Sequence, residues 1–163
     1  MIGNLVFCLV AVLVGVADQL IKLWVSSLLN PGQVLWEWGF LRITLVYNTG
    51  AAFGLFQDFT AVLTVIRCIG AAVILAIIIL YHKRLMKWGG MWIMAALGLV
   101  LGGTIGNLID VLRLGYVVDF IDLTYWPVFN VADSSVVVAM FIIGILILRD
   151  IFRDNKNKGK GEP

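Results

Sequence analysis

The chain has 163 residues, of which 61% are hydrophobic and only 13% are charged. Soluble domains typically carry about 25% charged residues, so this chain has too little polar surface to cover a soluble globule and is expected to cross a membrane several times. At about 20 apolar residues per span, four spans would use about half of the chain, which leaves room for one bundle and no second domain. The net charge of +2 gives no indication of a nucleic-acid partner.

The cysteine and histidine content predicts no metal site. Cys8 and Cys68 lie inside apolar runs and are predicted to be ordinary core residues. The single histidine, His82, lies in a short basic stretch, and the sequence has no zinc-binding spacing.

The first apolar run, residues 2–29, is predicted to be a membrane helix that ends before Asn30-Pro31, a pair that favours a turn. A cleaved signal peptide is the alternative, but no basic residue precedes the apolar run, and apolar character resumes after Asp18. Asp18 and Lys22 are four residues apart and therefore share a helix face. They form either a simple ion pair near the interface or part of a polar site.

Residues 32–59 do not form a continuous apolar run like residues 2–29. Apolar and polar residues alternate from Leu41 to Asn48, as they do in a β-strand. Gly39 precedes this run and is predicted to mark a turn or bulge. Small residues follow Asn48, so a ligand or another chain can approach the backbone closely there. The segment also carries three large aromatics that suit the headgroup level of a membrane: Trp36, Trp38 and Phe40.

Two further spans are predicted at 60–81 and 91–112, joined by a basic loop at 82–90. Arg67 interrupts the first of them, and we favour a side chain that extends to the membrane surface over a role in a site. Asn107 and Asp110 lie near the end of the second span, where close packing alone does not explain a carboxylate. This span also carries glycines at every fourth position, which predict a face for close helix packing: Gly98, Gly102 and Gly106.

The last span is predicted at 131–149, followed by a polar tail, 153–163, that is predicted to be disordered. The segment 115–130 returns to the membrane surface before it. Carboxylates at the edge of so apolar a protein are costly to desolvate, which indicates a function or a partner that retains them. The polar residues of this region are Asp119, Asp122, Asn130 and Asp133.

The distribution of basic residues predicts the orientation. Eight of the twelve Lys and Arg residues lie in 82–90 or from Arg149 onward, and both regions belong in the cytoplasm by the positive-inside rule. Four spans then place both termini inside and the segments 32–59 and 115–130 outside. Polar residues from three of the four helices and from both outer segments would converge near the outer leaflet: Asp18, Asn48, Asn107, Asp110, Asp119, Asn130 and Asp133.

This convergence indicates a reaction in which two carboxylates share one proton. The ionised member can take a proton from water, and the protonated member can polarise a carbonyl and later help to protonate the leaving amine. This chemistry requires no metal or organic cofactor. Asp133 is one candidate, and spacing leaves Asp119 and Asp122 open as the other. The same carboxylates and amides would also suit a cation site.

Five sequence blocks, in order and covering nearly the whole chain except the tail, resemble lipoprotein signal peptidase (signal peptidase II), the aspartic peptidase of the bacterial inner membrane. The blocks are Asp18-Gln-Leu-Ile-Lys22, Asn48-Thr-Gly-Ala-Ala-Phe-Gly54, Gly106-Asn-Leu-Ile-Asp110, Gly115-Tyr-Val-Val-Asp-Phe-Ile-Asp122 and Phe129-Asn-Val-Ala-Asp-Ser134.

The resemblance implies an all-α membrane bundle of four transmembrane helices with a small extracytoplasmic β-cradle at 32–59, in one domain over 1–163. It implies removal of the signal peptide from a prolipoprotein, with cleavage just before a cysteine that carries diacylglycerol. It implies that Asp119 and Asp133 are the catalytic pair. The positions implied to support the pair or to hold substrate are Asp18, Lys22, Asn48, Gly54, Asn107, Asp110 and Asn130.

No cofactor or metal is implied. The expected partners are the prolipoprotein, membrane lipids and peptide-like inhibitors, and the protein is expected to be a monomer. Two other functions remain alternatives, namely a transporter or channel that uses the carboxylates and a non-catalytic scaffold in which they pair with basic residues. The small number of spans, the lack of an internal repeat and the one-sided clustering of acids argue against a transporter.

The sequence departs from the family at one position. The family usually has arginine directly after the aspartate at position 110, whereas this chain has Val111, with Arg113 two residues further on. Two residues turn a helix by about 200°, so Arg113 is not an easy replacement. The partner of Asp110 is therefore left open.

Overall fold

The computed structural model describes residues 2–50 and 60–158, which form three long helices and one small sheet. All three helices are long and apolar enough to cross a membrane. The elements in chain order are α1 (Ile2–Leu28), β1 (Val34–Trp38), β2 (Leu41–Asn48), α2 (Thr60–Leu114), β3 (Val117–Asp122) and α3 (Val131–Lys158).

Helix α2 covers 55 residues and includes two of the predicted spans together with the stretch 82–90. We predicted a loop at 82–90, and this prediction is wrong for all but its last residue, because the stretch before Gly90 is helical. It contains no proline, and its glycines come only at its end, so nothing in it breaks a helix earlier. The described residues therefore contain three helices where the sequence predicted four.

Helix α2 is interrupted at one residue, Gly90, whose φ of 60° and ψ of −140° are non-helical. Glycine adopts such a conformation without the clash that a Cβ would cause. Leu75, before this glycine, and Ile105, after it, line the same cavity of about 620 Å³. A straight helix would separate these two residues by about 45 Å, so the chain turns back at Gly90.

The predicted glycine face of α2 packs against α1. A Cβ atom at Gly98 would lie 2.7 Å from the carbonyl oxygen of Phe7, and one at Gly102 would lie 2.5 Å from that of Ala11. Both distances are too short for a side chain, so glycine is required for the two backbones to touch. The predicted close-packed face is therefore confirmed, and it brings the polar end of α2 against α1.

The sheet has the antiparallel order β1-β2-β3. Gly39 forms the turn between β1 and β2 with a φ of 60°, which agrees with the turn predicted there. Strand β3 was not predicted, although its valines, phenylalanine and isoleucine favour a strand. It pairs with β2 next to a register shift between Ile43 and Val46, and this irregularity lies beside Asp119.

The sheet and the helix ends share one small core, in which Leu45 and Val118 pack with Val25 of α1. The sheet therefore lies against the end of α1. The strands occupy residues 34–48 of the predicted cradle, and residues 51–59 lie outside the described part of the chain.

Two further predictions are wrong. Helix α3 continues to Lys158, although we predicted an end at 149 and a disordered tail over 153–163, of which residues 159–163 lie outside the described part of the chain. Residues 145–158 contain no glycine or proline that would end it. Cys8 and Cys68 are exposed on the surface of the helices and not in the core. In a membrane bundle, apolar residues face lipid as well as protein, so apolar neighbours in sequence do not identify the core.

Candidate active site

The first turn of α3 carries a reciprocal pair of hydrogen bonds between Asn130 and Asp133. Oδ1 of Asn130 accepts from the backbone N–H of Asp133 at 2.9 Å, and Oδ2 of Asp133 accepts from the backbone N–H of Asn130 at 3.3 Å. This is the arrangement of a capping box, in which the cap and the third helical residue satisfy each other's N–H groups. The carboxylate of Asp133 therefore lies at the positive end of the helix dipole, which favours a negative charge there.

Asp119 in β3 is the second carboxylate of the cluster and is only 2% exposed. Its Oδ1 accepts from Nδ2 of Asn130 at 2.6 Å, and its Oδ2 accepts from Nδ2 of Asn48 at 2.8 Å. Burial raises the pKa of Asp119 from its ordinary value of 3.8 to about 7, and the charge of Asp133 acts in the same direction. The two amide hydrogen bonds and the charge of Lys22 oppose this rise in pKa. Asp119 therefore exchanges a proton near neutral pH.

Asn107 joins these carboxylates to α1. Its Nδ2 donates to Oδ1 of Asp133 at 2.8 Å, while its Oδ1 accepts from Nζ of Lys22 at 2.9 Å and from Nδ2 of Asn130 at 3.0 Å. Rotation of the amide would turn its NH₂ group toward two other donors, so these contacts hold it in one orientation.

Lys22 is a buried cation between two carboxylates. Its Nζ lies 2.7 Å from Oδ2 of Asp18 and 2.7 Å from Oδ2 of Asp110. Oδ1 of Asp18 also accepts from the backbone N–H of Ala132 at 2.9 Å, which satisfies one of the free N–H groups at the start of α3. The pair of Asp18 and Lys22 is therefore part of the polar cluster and not a separate ion pair at the interface.

Asp110 has three partners, although residue 111 is valine. In addition to Lys22, its Oδ1 accepts from Nε2 of Gln19 at 2.8 Å, and its Oδ2 accepts from the backbone N–H of Val118 at 3.1 Å. Val111 is buried. The cation that the sequence lacked next to Asp110 is supplied by another helix.

Gly106 explains how α1 approaches this cluster so closely. A Cβ atom there would lie 2.6 Å from Oδ2 of Asp18. Nε2 of Gln19 donates to the backbone carbonyl of Gly106 at 3.0 Å. The last glycine of the packing face therefore makes room for a carboxylate as well as for a backbone.

Arg67 adds a second positive charge near the cluster. It lies on the first part of α2 and is half-buried. Its charge interacts with those of Asp133, Asp119 and Asp110, in decreasing order. We predicted a side chain directed to the membrane surface, and this stays a prediction, although the charge of Arg67 also acts on these carboxylates.

Asp122 has a different environment from Asp119. Its Oδ1 accepts from the backbone N–H of Thr124 at 2.7 Å and so closes a turn in which Thr124 has a φ of 65°. Its backbone pairs with Arg42 at the far end of β3. Spacing left Asp119 and Asp122 open, and of the two it is Asp119 that hydrogen-bonds to Asn130.

The structure brings most of the predicted site residues into one network, while Gly54 lies outside the described residues. Sequence reasoning missed the role of Gln19, whose signal was its position three residues before Lys22 on the same helix face. Among residues 2–50 and 60–158, no three His, Cys, Asp or Glu side chains converge as metal ligands do. The connected residues are Asp18, Lys22, Asn48, Asn107, Asp110, Asp119, Asn130 and Asp133.

The fold is shared with membrane enzymes. A solved structure of a bacterial membrane enzyme is 30% identical and has a TM-score of 0.77, with 96% of this chain and 93% of that chain covered. A second solved structure, also of a bacterial membrane enzyme, is 30% identical with a TM-score of 0.76 and covers 88% of this chain and 93% of its own length.

Sequence comparison identifies the family. The family described as Signal peptidase (SPase) II matches residues 10–149. A lipoprotein signal peptidase of Moorella thermoacetica is 44% identical over 138 residues, which cover 84% of this chain and 89% of the relative. One of Pseudomonas aeruginosa is 39% identical over 166 residues, which cover 95% of this chain and 92% of the relative. The chain belongs to the signal peptidase II family of proteases.

Proposed function

We propose that the chain is an aspartic endopeptidase that removes the signal peptide from diacylglyceryl-modified prolipoproteins and cleaves just before the lipidated cysteine. Family membership supports proteolysis of prolipoproteins. The observation that carries the aspartic mechanism is that two carboxylates, Asp119 and Asp133, bond to the same residue, Asn130. They reach it from different elements, and one of them exchanges a proton near neutral pH.

Asp119 and Asp133 are the catalytic residues of this proposal. With one proton between them, the ionised carboxylate takes a proton from water while the protonated one donates to the scissile carbonyl. Water adds to the carbonyl carbon, and the C–N bond breaks when the proton taken from water passes to the amine. The carboxylate that donated its proton recovers one from the tetrahedral intermediate. One water molecule is consumed, and the pair returns to its starting state.

The remaining polar residues hold this pair in place. Asn48 and Asn130 each donate to one oxygen of Asp119, while Asn107 donates to Asp133. Asp18, Lys22 and Asp110 form a buried group of ion pairs next to these amides. Gly54 is proposed to contact substrate on the grounds of family resemblance alone.

We propose that α2 crosses the membrane twice, so that the bundle has four spans. The apolar span within this helix, Ala61–Leu114, has 54 residues and would extend about 80 Å if straight. This length is far more than the roughly 30 Å of a bilayer core, and Gly90 interrupts the helix near the middle. By the positive-inside rule, the basic residues before Gly90 and from Arg149 onward support a cytoplasmic position for these regions and for both termini. The site then lies near the outer leaflet of the bacterial inner membrane.

The proposed partners are a prolipoprotein with a diacylglyceryl-cysteine, the surrounding lipids and peptide-like inhibitors that bind at the two aspartates. The protein is proposed to act as a monomer, in one domain over 1–163. Each of the eight connected residues of the site comes from the same chain, which supports a site that is complete in one copy.

The test is cleavage of a lipidated prolipoprotein by purified variants reconstituted in lipid. Asp119→Asn and Asp133→Asn keep the size of each side chain and remove its acid chemistry, and each is expected to abolish cleavage. Asp122→Asn is the matched control, because Asp122 lies in the same strand but outside the cluster. It is expected to cleave at the rate of the unmodified protein.

Normal cleavage by either Asp119→Asn or Asp133→Asn would overturn the assignment of the pair. Thermal unfolding of the same samples shows whether a loss of activity reflects a loss of folding.

A further inference from the structure

We propose that Lys22 is a positioning residue that decides which of the two catalytic carboxylates is ionised. Acting through Asn107, it holds Asp133 as the carboxylate and leaves the shared proton on Asp119. This proposal rests on the proposed function, because it assigns separate roles within the pair of Asp119 and Asp133.

The first step is the path from Lys22 to Asp133. Nζ of Lys22 donates to Oδ1 of Asn107 at 2.9 Å, and Nδ2 of Asn107 donates to Oδ1 of Asp133 at 2.8 Å. An ammonium on the amide oxygen draws electron density from the amide nitrogen and makes its N–H groups stronger donors. The amide nitrogen has no lone pair to accept a hydrogen bond, so this contact favours a carboxylate over a carboxylic acid at Asp133.

The second step is the position of Asp133 itself. Its other oxygen accepts from the backbone N–H of Asn130 at 3.3 Å, and it lies in the first turn of α3. Both oxygens therefore receive N–H groups, and the helix dipole favours a negative charge. Asp133 is also half-buried, so its charge retains more contact with water than that of a fully buried group.

Asp119 has neither the helix dipole nor the link to Lys22, although both of its oxygens also accept from amide N–H groups. It is 2% exposed and lies on a strand, whose dipole is small. Its two donors are the amides of Asn48 and Asn130, and neither of these amides accepts from Lys22 among the described contacts. Burial raises the pKa of Asp119 to about 7, which agrees with a proton that remains on this member of the pair.

The charged groups that face the pair are Asp18 and Lys22 from α1, and Arg67 and Asp110 from α2. Because Asp18 and Asp110 both contact Lys22, they offset its charge at longer range. The charge of Lys22 also opposes the rise in the pKa of Asp119, whereas its effect on Asp133 is transmitted by the hydrogen bond to Asn107.

The assignment defines the direction of each proton transfer. Asp133 takes a proton from the attacking water as the oxygen of that water bonds to the scissile carbonyl carbon, while Asp119 gives its proton to the carbonyl oxygen. When the C–N bond breaks, Asp133 gives its proton to the leaving nitrogen, and Asp119 recovers a proton from a hydroxyl of the tetrahedral intermediate. Asp133 is thus the base of the first step and the acid of the second.

The first test is the pH dependence of kcat/KM for a lipidated prolipoprotein peptide, with the full chain in lipid nanodiscs. Asn107→Leu breaks the path and leaves the ion pairs of Lys22 intact. The acidic limb of its curve of kcat/KM against pH is expected to move to higher pH by about one unit or more. The reason is that Asp133, the ionised member of the pair in this proposal, loses the hydrogen bond from Asn107. Lys22→Met is expected to move this limb in the same direction, and Lys22→Arg to restore it in part.

The matched control is Ser135→Ala, which removes buried hydrogen bonds from α3 to the carbonyls of Leu99 and Ala132 but leaves the path through Asn107 intact. Its two limbs are expected to keep their positions. A purely structural role of Lys22 and Asn107 would lower kcat without moving either limb, and that result in both Asn107→Leu and Lys22→Met would overturn the proposal.

The second test is the infrared band of protonated carboxyl groups at mildly acidic pH, which requires neither substrate nor turnover. The band of the shared proton is expected to vanish in Asp119→Asn and to persist in Asp133→Asn. A band that vanishes instead in Asp133→Asn would reverse the assignment and overturn the proposal, while the cleavage assay of the same variants would still support the pair. Normal cleavage by both variants would contradict the proposed function itself, whichever band is lost.

Discussion

Asn130 and Asp119 are joined by a hydrogen bond of 2.6 Å from Nδ2 to Oδ1, although one caps a helix and the other lies within a strand. The same asparagine exchanges two hydrogen bonds with Asp133. One amide side chain therefore starts α3, positions one carboxylate in its first turn and holds the strand that carries the other. The residue that caps this helix therefore also joins the two carboxylates of the site.

Replacement of Asn130 by alanine is expected to lower both stability and activity. Loss of the cap costs about 1 kcal/mol of folding free energy, and Asp119 and Asp133 lose their common partner, so cleavage is expected to fall to near background. Thermal unfolding and cleavage measured on the same sample check this. Ser134→Ala is the control, because it removes a hydrogen bond to the carbonyl of Asn130 in the same turn without contact to either carboxylate. Equal losses of activity in both variants would contradict the prediction.

Gly106→Ala is expected to inactivate the protein by a steric effect. The added Cβ would lie 2.6 Å from Oδ2 of Asp18, which forces α1 and its lysine away from Asn107 at a cost of about 1–3 kcal/mol. Gly144→Ala is the matched control, since a Cβ there has no atom within 4 Å and alanine favours a helix. The two melting temperatures are expected to move in opposite directions, and no change in the melting temperature or activity of Gly106→Ala would refute the close contact.

Asp119 is expected to make stability depend on pH in a defined window. Its pKa is raised from 3.8 in the unfolded chain to about 7 in the folded protein, so between these values the folded state binds the proton more tightly. The contribution of Asp119 is therefore fully present below 3.8 and is lost as the pH rises toward about 7. Melting temperatures across this window should fall more steeply for the unmodified protein than for Asp119→Asn, and parallel curves would contradict the raised pKa.

Arg67→Gln is expected to reduce cleavage several-fold, because it removes a positive charge that interacts with Asp133, Asp119 and Asp110. Arg67→Lys keeps the charge and is expected to retain most of the activity. Arg113→Gln is the control at an exposed arginine of the same helix. The rates of prolipoprotein cleavage by the three variants are measured at low and at high salt. Equal activity of Arg67→Gln and Arg113→Gln would show that Arg67 has no role in the site.

Labelling of single cysteines tests whether α2 crosses the membrane twice. With Cys8 and Cys68 replaced by alanine, Lys87→Cys near the interruption at Gly90 is expected to be protected from a membrane-impermeant thiol reagent in intact cells. Glu37→Cys, at the end of β1, is expected to react in intact cells. Reaction of both positions in intact cells would place Gly90 on the outer side of the membrane and contradict the four-span arrangement.

Composition and periodicity were sufficient for the large features. Apolar runs predicted the membrane helices because a helix in lipid must be apolar on nearly all sides, and this requirement is visible residue by residue. The glycines at 98, 102 and 106 predicted the face that α1 contacts, and the alternation from Leu41 predicted β2. The predicted loop at 82–90 failed for a physical reason, since Gly90 reverses the chain alone and leaves the basic residues before it in a helix.

The sequence by itself determined the class of protein, the elements that carry the polar residues and, through its five blocks, the family. Only the tertiary structure decided which groups touch. The ionic partner of Asp110 is Lys22, 88 positions away in the chain, and Asn107 links that lysine to Asp133. Such contacts depend on how closely helices approach and how each amide is oriented. These properties arise from packing between distant segments, and no local pattern in the sequence encodes them.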